Sequence, residues 1–249
     1  AVALGCIDHA ESDLPAAVAE ADLVVIATPV STIPNLLRRI AEAGADSAVI
    51  TDVGSTKQSI VEAAERLLPK PGRFVGSHPM AGSELHGPDA ARPDLFDAKP
   101  VILTPTGASD DGALATVEWL WRMLDMRLVR MDAAEHDRTV ARISHLPHAL
   151  AMLLVEYAAA SESLDLASTG FADTTRVASG DPGVWADILT DNAGPLGEAI
   201  DEWIERLQSF RRQLTGDSRD ELLMRLRAAK DIRDGWLSAR AAQRTNGGK

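Results

Sequence analysis

The chain has 249 residues, 45% of them hydrophobic, which is enough for two cores of ordinary domain size. Its formal charge is −12, and no cluster of lysine and arginine is dense enough to neutralise a run of phosphates. Nucleic acid and anionic membrane are therefore poor candidates as partners, and an anionic substrate needs a locally placed arginine. The single cysteine, Cys6, cannot form an internal disulfide and fits a reducing, cytoplasmic compartment. No apolar run is long enough for a membrane span, and no signal peptide is expected.

Residues 1–22 read as a loop or strand edge followed by a short helix that leads into L-V-V-I-A at 23–27. Further short apolar runs are A-V-I-T-D at 48–52, R-F-V-G-S at 73–77, V-I-L-T at 101–104 and R-L-V-R-M at 127–131. Continuous β-branched runs of this kind predict parallel strands buried on both faces. One intervening helix opens at Ser31, Thr32 and Pro34 and runs through Leu36, Leu37 and Ile40. Another spans 57–68 with Ile60, Val61, Ala64 and Leu67 on one stripe. The repetition is βαβ, giving an α/β doubly wound, Rossmann-like domain over residues 1–131. Such a domain normally opens with a strand and G-x-G-x-x-G, followed by an acidic residue about 20 positions on. None of these precedes residue 23, so the first strand here corresponds to the fourth in the usual order. The expectation is a domain truncated at its N-terminus.

After Met131 the strand signals stop, and residues 132–249 read as an all-α domain. Asp132 can cap a helical pattern that continues through Val140, Ile143, Leu146, Leu150, Leu153 and Leu154. Pro147 lies inside it, where a proline kinks a helix and deprives the Ile143 carbonyl of its usual donor. Further helices are predicted at 183–192, 194–214 and 218 to about 242, before a polar tail, T-N-G-G-K, predicted to be disordered. Aliphatic positions on more than one helix face predict a homodimer through this half.

Histidines beside glycine and proline carry the chemical signal. His78, in G-S-H-P-M-A-G-S-E at 76–84, should sit on a loop just past a strand end, where catalytic groups collect in open α/β sheets. A neutral imidazole there can take a proton from a hydroxyl and release it again. The plainer reading is a histidine that caps a turn. In R-I-S-H-L-P-H at 142–148, His145 and His148 share one helix face. His136, nine residues before His145 at about 100° each, falls across the helix, so no three-histidine metal site is expected. Arg176 can bind a carboxylate bidentately with Asp173 orienting it, or the two can form an ordinary surface ion pair. The plainer reading of Ser55 is a helix cap ahead of Lys57.

Five ordered strings, V-I-A-T-P-V at 25–30, D-V-G-S-T-K at 52–57, G-S-H-P-M-A-G-S-E at 76–84, H-D at 136–137 and S-H-L-P-H at 144–148, together resemble the prephenate and arogenate dehydrogenases of tyrosine biosynthesis. D-T-T-R at 173–176 and D-P-G-V-W-A-D-I at 181–188 fit the same pattern. The resemblance implies NAD- or NADP-dependent oxidative decarboxylation of prephenate or arogenate to 4-hydroxyphenylpyruvate or tyrosine, with tyrosine as a possible competitor. It also implies His78 as the base with Ser55 as its partner on the substrate hydroxyl. By the same resemblance Arg176, His148, His145, Glu84 and Asp173 hold the substrate, while Thr28, Pro29, Gly54, Ser55 and Lys57 lie at the cofactor. No metal is required, because aromatisation drives the reaction.

Two rivals remain at this stage. One is another two-domain NAD(P)-dependent dehydrogenase, which would not explain the His78 run. The other is a non-catalytic dimerising or regulatory homologue, motivated by the absent glycine-rich turn.

Overall fold

The structure is a computed structural model that describes residues 1–82, 91–161, 164–216 and 219–246. By its internal contacts the chain falls into two compact units, Ala1–Leu196 and Gly197–Lys249.

The first unit is built on a five-stranded sheet in the order β1 (Leu23–Ile26), β2 (Val49–Asp52), β3 (Phe74–Pro79), β4 (Pro100–Thr104) and β5 (Arg127–Arg130). All five lie where the apolar runs predicted. β1, β2 and β3 are parallel, and β4 and β5 are parallel to each other, but β3 and β4 pair antiparallel, with His78 opposite Ile102 and Pro79 opposite Val101. This corrects the expectation of an all-parallel sheet. A parallel partner needs a crossover, usually a helix, and no helix lies between β3 and β4 among the described residues.

Burial explains the composition of each strand. Every residue of β2 and β3 is buried, whereas the edge strands β1 and β5 expose part of their surface. Alternation along β2 and β3 sends Ile50 and Phe74 to one face and Val49 and Val75 to the other. On the first face lie α2 (Ile33–Glu42) and α3 (Gln58–Leu67), which contribute the fully buried Ile33, Leu37 and Ile60. Each such side chain stabilises the fold by roughly 1.5–3 kcal/mol. On the second face lies α4 (Asp111–Met123), which packs Val117 and Trp121 against Val75, Val101 and Leu103. The short α1 (Leu14–Val18) precedes β1 and anchors the first core through Val18.

The helical pattern after Met131 is interrupted where Pro147 demanded it. Asp132 caps α5 (Ala133–Val140), its side chain accepting from Glu135 N at 2.7 Å. A five-residue π-helical turn, Ala141–His145, follows and runs into α6 (Leu146–Ala160), with Pro147 in that helix's first turn. The wider turn places the proline at a helix start, where its missing N–H is tolerated. α7 (Thr169–Thr175) continues into a 3₁₀ turn, Arg176–Ser179, that packs on α6. α8 (Pro182–Asp191), capped by Asp181, lays Ile188 into the first core. The first compact unit, which includes α5 to α8, extends to Leu196.

α9 (Ala193–Leu214) crosses from the first unit into the second, which also holds α10 (Arg219–Asn246). Of the predicted disordered tail, Thr245 and Asn246 belong to α10, and 247–249 lie outside the described residues. Ile200, Trp203, Ile204 and Leu207 form an exposed apolar stripe on α9, and Met224, Ile232 and Trp236 are exposed on α10. None of the described helices is long and apolar enough to cross a membrane.

Candidate active site

The carboxyl ends of β2 and β3 carry a polar centre that excludes water. Asp52, the last residue of β2, is fully buried, and its carboxylate accepts from Gly54 N at 2.8 Å, from Ser77 N at 3.2 Å and from the Lys57 ammonium. Lys57, expected at the cofactor, has no exposed surface. Its ammonium pairs with Asp52, and burial pulls its pKa down against the opposing charge of Asp52. Gly54 is a requirement of this centre, since a Cβ there would stand 2.9 Å from both Asp52 Oδ2 and Ile60 Cδ1. Ser77 completes it, its hydroxyl donating to the Asp52 carbonyl at 2.6 Å.

His78 is next in the chain. It is the penultimate residue of β3, not a loop residue as predicted, and pairing opposite Ile102 fixes its backbone. Its Nδ1 lies 2.8 Å from Nε2 of His136 on α5, and Nδ1 of His136 lies 2.7 Å from Asp137 Oδ1. The same carboxylate accepts from Lys57 N at 2.8 Å and Gln58 N at 3.0 Å, the first amides of α3. Asp137 thus caps α3 from another helix, in favourable alignment with the helix dipole, and Ser55 is outside that capping arrangement. The tautomers follow. An ionised carboxylate can only accept, so His136 carries its proton on Nδ1 and offers the Nε2 lone pair. His78 must then donate from Nδ1, which leaves the lone pair of His78 on Nε2.

Electrostatics keep these rings neutral. Burial, then the positive forms of His136, Lys57 and His145, push the pKa of His78 well below 6.5. Burial also lowers His136, although Asp137 opposes it. For Asp137 burial acts upward, but the hydrogen bonds from His136, Gln58 and Lys57 outweigh it and hold the carboxyl below its ordinary value.

The π turn delivers two further histidines. Nδ1 of the buried His145 lies 2.9 Å from Asn192 Nδ2, and the same amide donates to the Asp137 carbonyl at 2.9 Å. His148 stacks on Trp185 of α8 with ring centroids 3.5 Å apart. Gly180 makes room for that stack, since a Cβ there would fall 2.4 Å from Trp185 Nε1. His136 and His145 therefore share one hydrogen-bonded cluster through Asp137 and Asn192, although an ideal α-helix would have set them on opposite faces. Each π residue turns the chain by less than an α residue, and five of them remove much of the predicted separation.

The other expected residues are less enclosed. Thr28 and Pro29 are exposed on the loop after β1, and Ser55 is half-buried on the loop after β2, so all three lie at the carboxyl edge of the parallel strands. The Thr32 hydroxyl donates to the Pro29 carbonyl at 2.7 Å, holding the first loop closed. Arg176 and Asp173 are exposed, and Arg176 begins the 3₁₀ turn whose C-cap, Gly180, lies beside His148. Glu84 lies outside the described residues. Reasoning on the sequence did not select His136, Asp137, Asn192, Trp185 or Asp52 as site residues. The H-D pair at 136–137, D-V-G-S-T-K at 52–57 and D-P-G-V-W-A-D-I at 181–188 were the available signals for the first two, for Asp52 and for Trp185, and Asn192 had none.

Acid stability follows from the buried imidazoles. His145 is held neutral by burial, with a pKa of about 4 against 6.5 when unfolded, and His78 and His136 are shifted the same way. Below pH 6.5 the unfolded chain binds more protons than the fold, so stability is complete above 6.5 and drains away as pH falls toward 4. His145 alone accounts for roughly 3 kcal/mol of this. Urea unfolding at pH 7.5, 6 and 5 should show a progressively lower midpoint, and a constant midpoint across that range would contradict the buried neutral assignment.

The sequence matches two family models, "Prephenate dehydrogenase, nucleotide-binding domain" over residues 1–130 and "Prephenate dehydrogenase, dimerization domain" over residues 132–228. The chain belongs to the prephenate dehydrogenase family. Within it, the chain is similar to prephenate dehydrogenase of Bacillus subtilis (strain 168), 39% identical over 94% of this chain and 65% of that protein, so it spans just under two thirds of that relative's length. Among solved structures, prephenate dehydrogenase from A. aeolicus in complex with hydroxyphenyl propionate and NAD+ superposes with a TM-score of 0.88 at 32% identity, covering 94% of this chain and 83% of that one. Synechocystis arogenate dehydrogenase superposes at 0.80 and 30% identity, covering 94% and 86%. The Rossmann-like sheet and the helical C-terminal region are those of the family.

Proposed function

We propose that this chain carries out the NAD(P)-dependent oxidative decarboxylation of prephenate or arogenate. The observation that carries the reading is the His78–His136–Asp137 chain, which leaves a lone pair on His78 Nε2 at the carboxyl edge of the sheet. Family membership and the A. aeolicus complex with NAD+ support it.

The residues present fit the nicotinamide end of a dinucleotide: an exposed Thr28 hydroxyl, Pro29, the Gly54 turn and the half-buried Ser55 hydroxyl, all uncharged, at the crevice where such cofactors bind. Bound there, the cofactor supplies the hydride acceptor. His78 Nε2 takes the substrate hydroxyl proton as the carbon bearing that hydroxyl gives up its hydride and becomes a carbonyl. His78 can pass its Nδ1 proton to His136 Nε2, which sets the positive charge beside Asp137. The ring carboxylate then leaves as carbon dioxide. Its bonding pair enters the ring, which becomes aromatic, and the carbonyl oxygen takes the proton back as a phenol. No proton is consumed overall, so one relay serves both directions.

Arg176 is assigned to the substrate's side-chain carboxylate with Asp173 as its orienting partner, His148 and His145 to the pocket wall, Ser55 to the substrate hydroxyl and Glu84 to pocket closure. Support comes from the placement of the Arg176 turn against α6, which bears His148. The dinucleotide-binding domain is taken as 1–131 and the helical substrate and dimerisation domain as 132–249, supported by family models that meet at residues 130 and 132. The exposed apolar residues on α9 and α10 support a homodimer, the single cysteine supports a cytoplasmic assignment, and tyrosine is the expected competitor at the same pocket.

The test is a steady-state assay with prephenate and arogenate against NAD+ and NADP+. Carbon dioxide release matched to reduced cofactor is expected with at least one pairing, and none with any of the four refutes the reading.

A further inference from the structure

Asn192, at the C-terminus of α8, makes two hydrogen bonds with one amide nitrogen, to the Asp137 carbonyl and to His145 Nδ1, both at 2.9 Å. A backbone carbonyl can only accept, so the amide is oriented by Asp137 and must present NH₂ to His145 as well. His145 Nδ1 is therefore the accepting nitrogen, and the proton of the neutral ring sits on Nε2. That Nε2 is buried, the whole residue is 1% exposed, and among the described residues its N–H meets no acceptor. An unsatisfied buried donor of this kind is costly unless something binds it.

We infer that Asn192 is a positioning residue: it locks His145 as the Nε2–H tautomer, so that His145 serves as an uncharged donor to a carboxylate oxygen of the substrate. The inference rests on the proposed function for the identity of that oxygen, but the tautomer assignment does not. A carboxylate suits this donor because it only accepts, and His145 joins the same hydrogen-bonded cluster as His78 through Asn192, Asp137 and His136. With burial holding His145 neutral down to about pH 4, it gives the same donor throughout the working range. Sequence spacing set His145 and His148 on one helix face, and the Asn192 contact distinguishes them.

Two-bond ¹H–¹⁵N correlation spectra of the ligand-free protein read the tautomer directly. The parent should show His145 protonated on Nε2, and Asn192→Asp, whose carboxylate accepts, should move the proton to Nδ1 or charge the ring. With prephenate, Asn192→Asp should raise KM by roughly 10- to 100-fold, the range for a hydrogen bond to a charged group. His145→Gln, which keeps an amide donor, should recover part of the KM that His145→Leu loses. An Nδ1–H tautomer in the parent overturns the inference without reference to any substrate, as does a tautomer switch that leaves KM unchanged. Should the parent turn over neither prephenate nor arogenate, the functional reading falls, and the spectra still decide the tautomer lock.

Discussion

Replacing His78 with glutamine should lower kcat by about 10²- to 10⁴-fold while KM for the cyclic substrate changes little, because a positioned base acts in the transition state rather than in ground-state binding. Glutamine retains volume and a hydrogen-bonding group opposite His136 but has no basic lone pair. Stopped-flow measurement of reduced cofactor in a single turnover separates this chemical step from product release. The acid limb of kcat/KM in the parent should titrate below pH 6.5, since burial and the neighbouring cations all disfavour protonation of His78. Activity is thus present above that limb and lost as pH falls through it. Asp137→Asn should shift the same limb, because an amide no longer imposes the proton on His136 Nδ1. Full turnover in the His78 variant would remove the residue from the reaction.

Lys57→Met should destabilise the fold by about 3–5 kcal/mol, the usual effect of breaking a fully buried ion pair by removing one partner. Asp52 would keep the amides of Gly54 and Ser77 but lose its countercharge, in a place with no access to water. The double variant Lys57→Met with Asp52→Asn should recover much of that loss, since no buried charge is then left over. Urea unfolding of the four proteins closes the cycle. Equal stability of the single variant and the parent would show that the pair carries no such weight. A cofactor role for Lys57 would instead appear as a raised KM for the dinucleotide with stability intact.

Much of the scaffold was legible in the sequence because burial leaves a strong mark on composition. β2 and β3 are buried throughout, and their runs of Val, Ile, Thr and Phe reported it. Strand direction left no such mark. β4 is at least as apolar as β3, yet the two pair antiparallel. The helical half was legible as helices, but the rotation between them was not. A wheel drawn at α-helical pitch separated His136 from His145, and the π turn at Ala141–His145 undoes that geometry. Pro147 marked the place of the irregularity without specifying its form. The burial of Lys57 left no mark in the sequence, and only the packed structure shows its ammonium directed inward to Asp52. Asn192 was silent because it acts through two contacts far away in sequence, at Asp137 and His145.

Asp137 receives the first amides of α3 on one side and the His136 ring on the other. A single carboxylate thus serves as both mortar and switch. Prise α5 away from α3, and the proton order along both imidazoles loses its anchor. Loss of turnover should accordingly precede loss of ellipticity when denaturant is added in small steps.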